Sequence, residues 1–367
     1  MKDTEASLGV GTKTINRRLY GARVLQNCYV GVASVALLFC LPFHTAWSQN
    51  PTAEISNGVV SATIATPDQK NGFYRGTRFD WSGVIQRLTF SGHNYYGPWF
   101  TRTDPSVHDF IYQGADIVAG PCSAITGPVE EFLSNDEALG FSQTQPGGTF
   151  IKIGVGVLRR PDREKYDNFH LYEIVDPGKW SVVAKPDSVE FVQELKDRST
   201  GYGYRYQKIV RLLSGKPQME IEHVLTNTGT RPIDTSVYDH NFLVLDHLPI
   251  GPDFTVTLPF TIQPLKPVKS VMGAIEGNRI VFRKAMEGRD VFAAALGGFG
   301  SSAKDYDIRV ENRHQGAGVE ITSDRPLESE EIWSIRSVLA MEPFIRIKVP
   351  AGQSFRWKYS YRYYTIP

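Results

Sequence analysis

From residue 57 onward, apolar and polar positions alternate in short runs broken by Gly, Pro, Asn and Asp at intervals of roughly ten to fifteen residues. Alternation with a period of two puts successive side chains on opposite faces of a pleated strand. It predicts strands over Val59–Ala65, Val84–Phe90, Phe150–Val157, Trp180–Ala184, Val189–Leu195, Tyr202–Leu213, Met219–Thr226, Phe254–Phe260, Val291–Ala295, Gly318–Thr322 and Ile335–Met341. The most regular run closes the chain. There Phe355, Trp357, Tyr359, Tyr361 and Tyr363 occupy every second position, with Arg356, Lys358, Ser360 and Arg362 between them. Helical periodicity is confined to two short stretches, Asp104–Tyr112 and Val129–Leu139. So many strands exceed what one open sheet holds. The expected fold is all-β, with two large, mostly antiparallel sheets stacked face to face and few short helices.

Residues 1–48 follow a different pattern. Arg17, Arg18 and Arg23 precede an uncharged apolar run from Tyr29 through Phe43, and Ala46-Trp47-Ser48 offers a small-x-small site for cleavage before Gln49. The run is too short and too interrupted to read as a spanning helix. The expectation is an exported protein, periplasmic or extracellular, with no stable membrane insertion after the signal is removed; a retained N-terminal anchor is the alternative. Residues 49–367 contain no fixed-period repeat and no linker, and read as a single domain. Cleavage would remove Cys28 and Cys40. Cys122 would then be alone, unable to form an intrachain disulfide, and it reads as a packing residue.

Charge narrows the function classes. The 367 residues include 40 Lys and Arg against 39 Asp and Glu, and no basic stripe stands out, so a nucleic-acid partner has no electrostatic footprint. The Walker loop, the dinucleotide fingerprint, the zincin helix and paired Cys-x-x-Cys motifs are all absent. Glu222, His223, Asp239, His240, Asp246 and His247 lie near one another in sequence, but without a spacing that specifies a metal. Alternation also sends Glu222 and His223 to opposite faces. Neither a metal nor a cofactor is expected.

Two polar insertions interrupt apolar runs. In Tyr238-Asp239-His240-Asn241-Phe242 the polar side chains must find partners or face a cleft. In Leu339-Ala340-Met341-Glu342-Pro343-Phe344 a single carboxylate is expensive to bury unpaired, and a raised pKa would suit it to proton transfer. A salt bridge from Glu342 to Arg336 or Arg346 is the structural alternative.

Taken together, these segments resemble the galactose mutarotase-like superfamily of aldose 1-epimerases and hexose-phosphate epimerases. Asn227-Thr228-Gly229 with Pro232, and His240-Asn241-Phe242, look like that family's Asn-Thr-Gly and His-x-Tyr-Phe stretches. Met341-Glu342-Pro343 with Pro350-Ala351-Gly352-Gln353 looks like its Leu-Glu-Pro and Pro-Gly-Glu stretches. The resemblance implies a β-supersandwich and metal-free interconversion of sugar anomers. In that mechanism His240 is the acid on the ring oxygen and Glu342 the base on the anomeric hydroxyl. It also implies a sugar-binding His in the first half, for which His93 and His170 are the candidates, His170 lying nearer the family's position. The direct step from the Glu342 segment into the final strands is more like the hexose-phosphate branch.

The segment Phe73-Tyr74-Arg75-Gly76-Thr77-Arg78-Phe79-Asp80-Trp81 matches no part of that pattern. Arg75 and Arg78 could fork a carboxylate or phosphate while Trp81 or Tyr74 stacks on a sugar, or they could pair with Asp80 and other acids at a sheet edge. Asp239, Trp99 and Trp333 are further candidates for sugar contact, the tryptophans alternatively core. The expected partner is a sugar, acidic or phosphorylated, and a uronate suits an exported protein better. A polysaccharide lyase-like uronate enzyme and a non-catalytic carbohydrate-binding protein are the competing readings.

Overall fold

Strands form almost wherever the alternation runs. The computed structural model describes residues 50–367 apart from Glu164 and Lys269; among them are 26 strands and two 3-10 turns, Leu245–His247 and Ala303–Asp305. The expected signal segment lies outside the described residues.

One sheet has ten strands, in the order Lys179–Lys185, Ser188–Lys196, Gly203–Leu212, Gln218–Asn227, Ser354–Thr365, Ala317–Ser323, Asp307–Asn312, Phe254–Thr257, Arg279–Phe282 and Gly273–Glu276. A second has six, in the order Gln263–Pro264, Val291–Gly297, Ser329–Ile335, Val338–Val349, Ile233–Leu243 and Val129–Leu133. All pairings within both are antiparallel. Three smaller sheets cover the flanks, and one of them contains a parallel pair, Arg102–Thr103 with Asp116–Ala119.

The two large sheets pack face to face. The alternating residues Tyr204, Tyr206, Val210, Met219, Ile221 and Leu225 bury against Phe132, Val237, Leu339, Met341 and Ile345. The C-terminal aromatics behave as their spacing predicts: Trp357, Tyr359, Tyr361 and Tyr363 are buried, while Phe355 packs at the margin. Polar groups also cross this layer, and each must be paired to be tolerated there. Lys208 Nζ binds Glu130 and donates to Ser82 O at 2.9 Å. His223 Nε2 lies 2.7 Å from Glu130 Oε1 and its ring stacks on Trp357 at 4.5 Å.

Several expectations are corrected. Val129–Leu133 is a strand, not a helix, and Asp104–Tyr112 is a turn leading into the strand Phe110–Gln113. In Val129–Leu133 both faces are buried, and the adjacent acids Glu130 and Glu131 point in opposite directions. Glu130 meets Lys208 and His223, and Glu131 meets Arg78 and Lys152. The run Phe150–Val157 is split into Thr149–Lys152 and Gly156–Arg159 by a turn in which Gly154 takes φ +80°. A hairpin turn at Arg336–Ser337 likewise divides Ile335–Met341.

The strand Ile233–Leu243 changes character along its length. Its first half alternates in burial, but from Val237 onward every residue is buried. Loops from the first half of the chain cover its outer face, forming a second apolar cluster with Phe79, Trp99, Phe150 and Tyr172.

Candidate functional site

On the covered face of the six-stranded sheet, cross-strand register decides which side chains meet. Tyr238 pairs with Phe344 and Asn241 with Met341, so His240 stands opposite Glu342. Val129 lies beside His240 on one neighbouring strand, and Glu331 lies beside Glu342 on the other. Close approach of the segment before Val129 requires Gly127, where a Cβ would come 2.6 Å from His240 O.

His240 Nε2 lies 3.4 Å from Glu342 Oε1, and the two side chains are 5% and 13% exposed. The imidazole stacks on Phe242 with ring centroids 3.6 Å apart and meets Phe79 and Trp333 edge-on. Its Nδ1 is buried without a hydrogen-bond partner among the described residues. Burial, reinforced by the positive charge of Arg78, holds the imidazole well below its ordinary pKa. Burial pushes the Glu342 carboxyl up to about 8, against the pull of Arg78. Both shifts favour a neutral imidazole beside a protonated carboxyl over an ion pair, because neither charged form is solvated there.

His240 opens onto a cavity of about 130 Å³ lined also by Arg78, Trp99, Asp109, Phe110, Ser123, Phe169, Phe242 and Trp333, with Glu342 behind the imidazole and not among the lining residues. By size the cavity has room for roughly four water molecules. Arg78 is fixed in its wall: Nε donates to Glu131 Oε2 at 2.8 Å, Nη2 donates to Tyr238 O–H at 2.9 Å, and the guanidinium lies over the rings of Phe79 and Phe169. Glu131 also accepts from Lys152 Nζ at 2.8 Å. Although burial opposes it, Lys152 and Arg78 together keep the Glu131 carboxyl below its ordinary value. Asp109, which receives the Ser123 hydroxyl, is raised by burial.

The other expected residues divide. Trp99 and Trp333 line the cavity beside Arg78, with their rings edge-on at 5.7 Å. Arg75 and Trp81 do not. Arg75 is exposed and donates to Lys70 O at 2.7 Å, and Trp81 is buried with Nε1 donating to Gly76 O at 2.8 Å. The supposed fork is thus opened, because Arg75 and Arg78 point to different places. Asp239 faces the opposite way from His240, as strand alternation demands. It binds Tyr361 between the large sheets, where burial and the charge of Glu130 raise its carboxyl well above normal. His93 is tied to Asp246 at 2.7 Å and is not among the lining residues. Nor is His170, whose ring packs edge-on against Tyr172 at 4.6 Å; its neighbour Phe169 lines the cavity instead. Cys122 is buried beside Thr77, its thiol raised by burial.

Asp109, Ser123, Phe110 and Phe169 were not singled out from the sequence. Asp109 and Phe110 lie in the stretch Asp104–Tyr112 that was expected to be helical, where Phe110 instead opens a strand; Ser123 and Phe169 sit in loops, and only the proximity of Phe169 to His170 carried any signal. Among the described residues, no group of three or more His, Cys, Asp or Glu is placed to hold a metal ion.

No protein-family model matches the sequence, and no curated protein matches it. Solved structures do. The Slr1438 protein from Synechocystis superposes with a TM-score of 0.50 at 12% identity, over 86% of this chain and 96% of its own. A Klebsiella pneumoniae protein described as a candidate aldose 1-epimerase superposes with a TM-score of 0.50 at 11% identity, over 84% of this chain and 77% of that one. At these identities the likeness is one of architecture: the chain shares the β-sandwich fold of these two proteins.

Proposed function

We propose that this protein interconverts the anomers of a sugar by acid–base ring opening, with His240 and Glu342 as the pair that moves the protons. The observation that carries this reading is the 3.4 Å separation of His240 Nε2 and Glu342 Oε1, with His240 in the wall of a ring-sized cavity. Ring opening needs one proton delivered to the ring oxygen and one taken from the anomeric hydroxyl. Both oxygens are bonded to the same carbon, so two groups in contact reach both.

The protonation of the pair reverses the roles that the family resemblance implies. At rest the proton is on Glu342 and the imidazole is neutral. Glu342 therefore gives its proton to the ring oxygen while His240 Nε2 takes the proton of the anomeric hydroxyl. The C1–O5 bond breaks, C1 becomes an aldehyde, and the pair is left as carboxylate and imidazolium. Rotation about C1–C2 presents the other face. The O5 hydroxyl then attacks and yields its proton to Glu342, and His240 returns the other proton to the anomeric oxygen. The pair ends as it began, which a reversible isomerisation requires.

The remaining wall supports sugar binding. Trp99, Phe110, Phe242 and Trp333 offer apolar faces to the C–H faces of a ring and exclude water. Asp109 accepts from hydroxyls, and Arg78 draws an acidic sugar such as a uronate toward the pocket. Arg78 beside Tyr238 and His240 also favours a second reading, removal of the proton next to a uronate carboxylate. Burial holds the Tyr238 phenol well above its ordinary value, so His240 would be the base in that case.

The test is anomer exchange followed by NMR on aldoses, uronic acids and sugar phosphates, with Glu342→Gln alongside. Exchange accelerated for one class and lost in Glu342→Gln supports the epimerase. An oligogalacturonide joins the panel, because the lyase reading needs a C4–O glycosidic bond to break as the C5 proton leaves; unsaturated uronate from it without accelerated exchange would favour the lyase, and inactivity towards every sugar would sink both.

A further inference from the structure

A second cavity adjoins the one onto which His240 opens. It is an open groove of about 470 Å³, and its wall is built from the same loops as the pocket. The segment 73–79 contributes Arg75 to the groove and Arg78 to the pocket. Phe100 lines the groove and Trp99 the pocket, with their rings 5.5 Å apart; Leu171 lines the groove and Phe169 the pocket. The groove and the pocket thus lie on the two sides of one wall, about a ring's width apart at Trp99 and Phe100.

The groove has the surface chemistry of a sugar subsite. Phe73 and Phe100 are half-buried, packed from below by the second apolar cluster, and Leu171 is 47% exposed. Rings held firmly on one face leave the other for the C–H face of a pyranose. Arg75 is exposed, and its single hydrogen bond uses Nη1, so Nε and Nη2 carry none to the described residues. Those two donors form the planar fork that a carboxylate fits. Asp104, also in the wall, is already engaged: its Oδ1 accepts from the Ser106 amide and hydroxyl, and Arg102 lies 3.7 Å away. Asp68 feels the charge of Arg75 but its Oδ1 accepts from the Lys70 and Asn71 amides, so Arg75 has no ion-pair partner among the described residues.

We infer that the groove is a second sugar subsite and that the substrate is an acidic oligosaccharide. Its reducing-end ring enters the pocket, and its next ring lies on Phe73 and Phe100 with its carboxylate on Arg75. The inference rests on the anomer-exchange reading for the orientation of the chain, but not for the existence of the subsite.

Calorimetric titration tests it directly, using galacturonic acid, its disaccharide and the neutral disaccharide lactose as probes on the purified protein. A hydrogen-bonded charged pair contributes about 1.5–3 kcal/mol, so the acidic disaccharide should bind more than about tenfold tighter than the acidic monosaccharide. In Arg75→Ala, and in Leu171→Glu, which sets a negative charge in the groove, that ratio should fall several-fold, to what stacking on Phe73 and Phe100 alone supplies. Arg75 and Leu171 are surface side chains, so both variants should fold, and unchanged melting temperatures would verify it. Equal affinity for the two acidic sugars, no binding of either, or a ratio unmoved by Arg75→Ala would overturn the subsite. An equal gain for lactose would overturn its acidic character. The two readings fail separately. Monosaccharide exchange that is lost in Glu342→Gln without any disaccharide preference removes only the groove. An Arg75-dependent preference without exchange removes only the epimerase.

Discussion

A carboxyl that keeps its proton to about 8 next to an imidazole that stays neutral has consequences that pH can read. The pair carries one proton only between the depressed value of His240 and the raised value of Glu342, and these limits belong to the pair jointly. Anomer exchange should therefore show an alkaline limb near 8 and an acid limb below the ordinary histidine value; a single descending limb centred on an unperturbed histidine would contradict the assignment. Stability has its own pH dependence. Folded, Glu342 holds its proton up to about 8; unfolded, it loses it near the ordinary 4.5, so the folded state binds more protons in between. Stability from this group falls as pH rises through that window. Thermal melts of Glu342→Gln against wild type should show the variant gaining relative stability between pH 5 and pH 8. A pH-independent difference would mean the carboxyl is already ionised.

At the scale of the element, each strand of the six-stranded sheet sends alternate residues into two different environments, and the acids make this visible. In Val129–Leu133, Glu130 enters the layer between the large sheets and Glu131 the wall of the pocket. In Ser329–Ile335, Glu331 flanks Glu342, while Glu330 turns inward. Glu330 is buried, and neither carboxyl oxygen has a hydrogen-bond partner among the described residues. Burial, with Glu342 and Glu331 nearby, raises its pKa well above normal, so it is a neutral acid. An orphaned buried polar group costs about 1–3 kcal/mol. Glu330→Met, which keeps the length and removes the polar atoms, should stabilise the fold by about that amount in urea denaturation. A loss of stability would show that a bound water or another partner satisfies the carboxyl. The strand reading itself was legible because alternation survives such substitutions. The helix expected at Val129–Leu139 failed because hydropathy scores Glu130 and Glu131 as solvent-facing, whereas both are buried against cations.

Across the whole molecule, Lys208 joins the two large sheets. It rises from the ten-stranded sheet to bind Glu130 of the six-stranded one, and lies 3.6 Å from Asp80 of the loop that leads to Arg78. Burial would discharge the ammonium, but Glu130 and Asp80 hold its pKa above normal. Removing one partner of a buried ionic cluster typically costs about 3–5 kcal/mol. Lys208→Met should show a loss of that size in urea denaturation, and a loss below about 1 kcal/mol would mean that His223 alone satisfies Glu130. The expectation of export is tested separately: N-terminal sequencing of protein recovered from outside the cytoplasm should begin at Gln49, and an intact Met1 would refute cleavage.

The sequence by itself determined the all-β class and the inward aromatic face of the last strand. Through the resemblance it also determined that His240 and Glu342 are the residues to examine together. Those are local or patterned properties, carried by a period of two and by short motifs. Only the tertiary structure decided that these two side chains meet. Their contact comes from the register between strands a hundred residues apart, and both sit on the covered face because loops from the first half of the chain fold over it. The same long-range packing separated Arg75 from Arg78, turned Asp239 away from the pocket and brought in Asp109 and Phe169. No period or spacing along the chain records which loop will close over which sheet face.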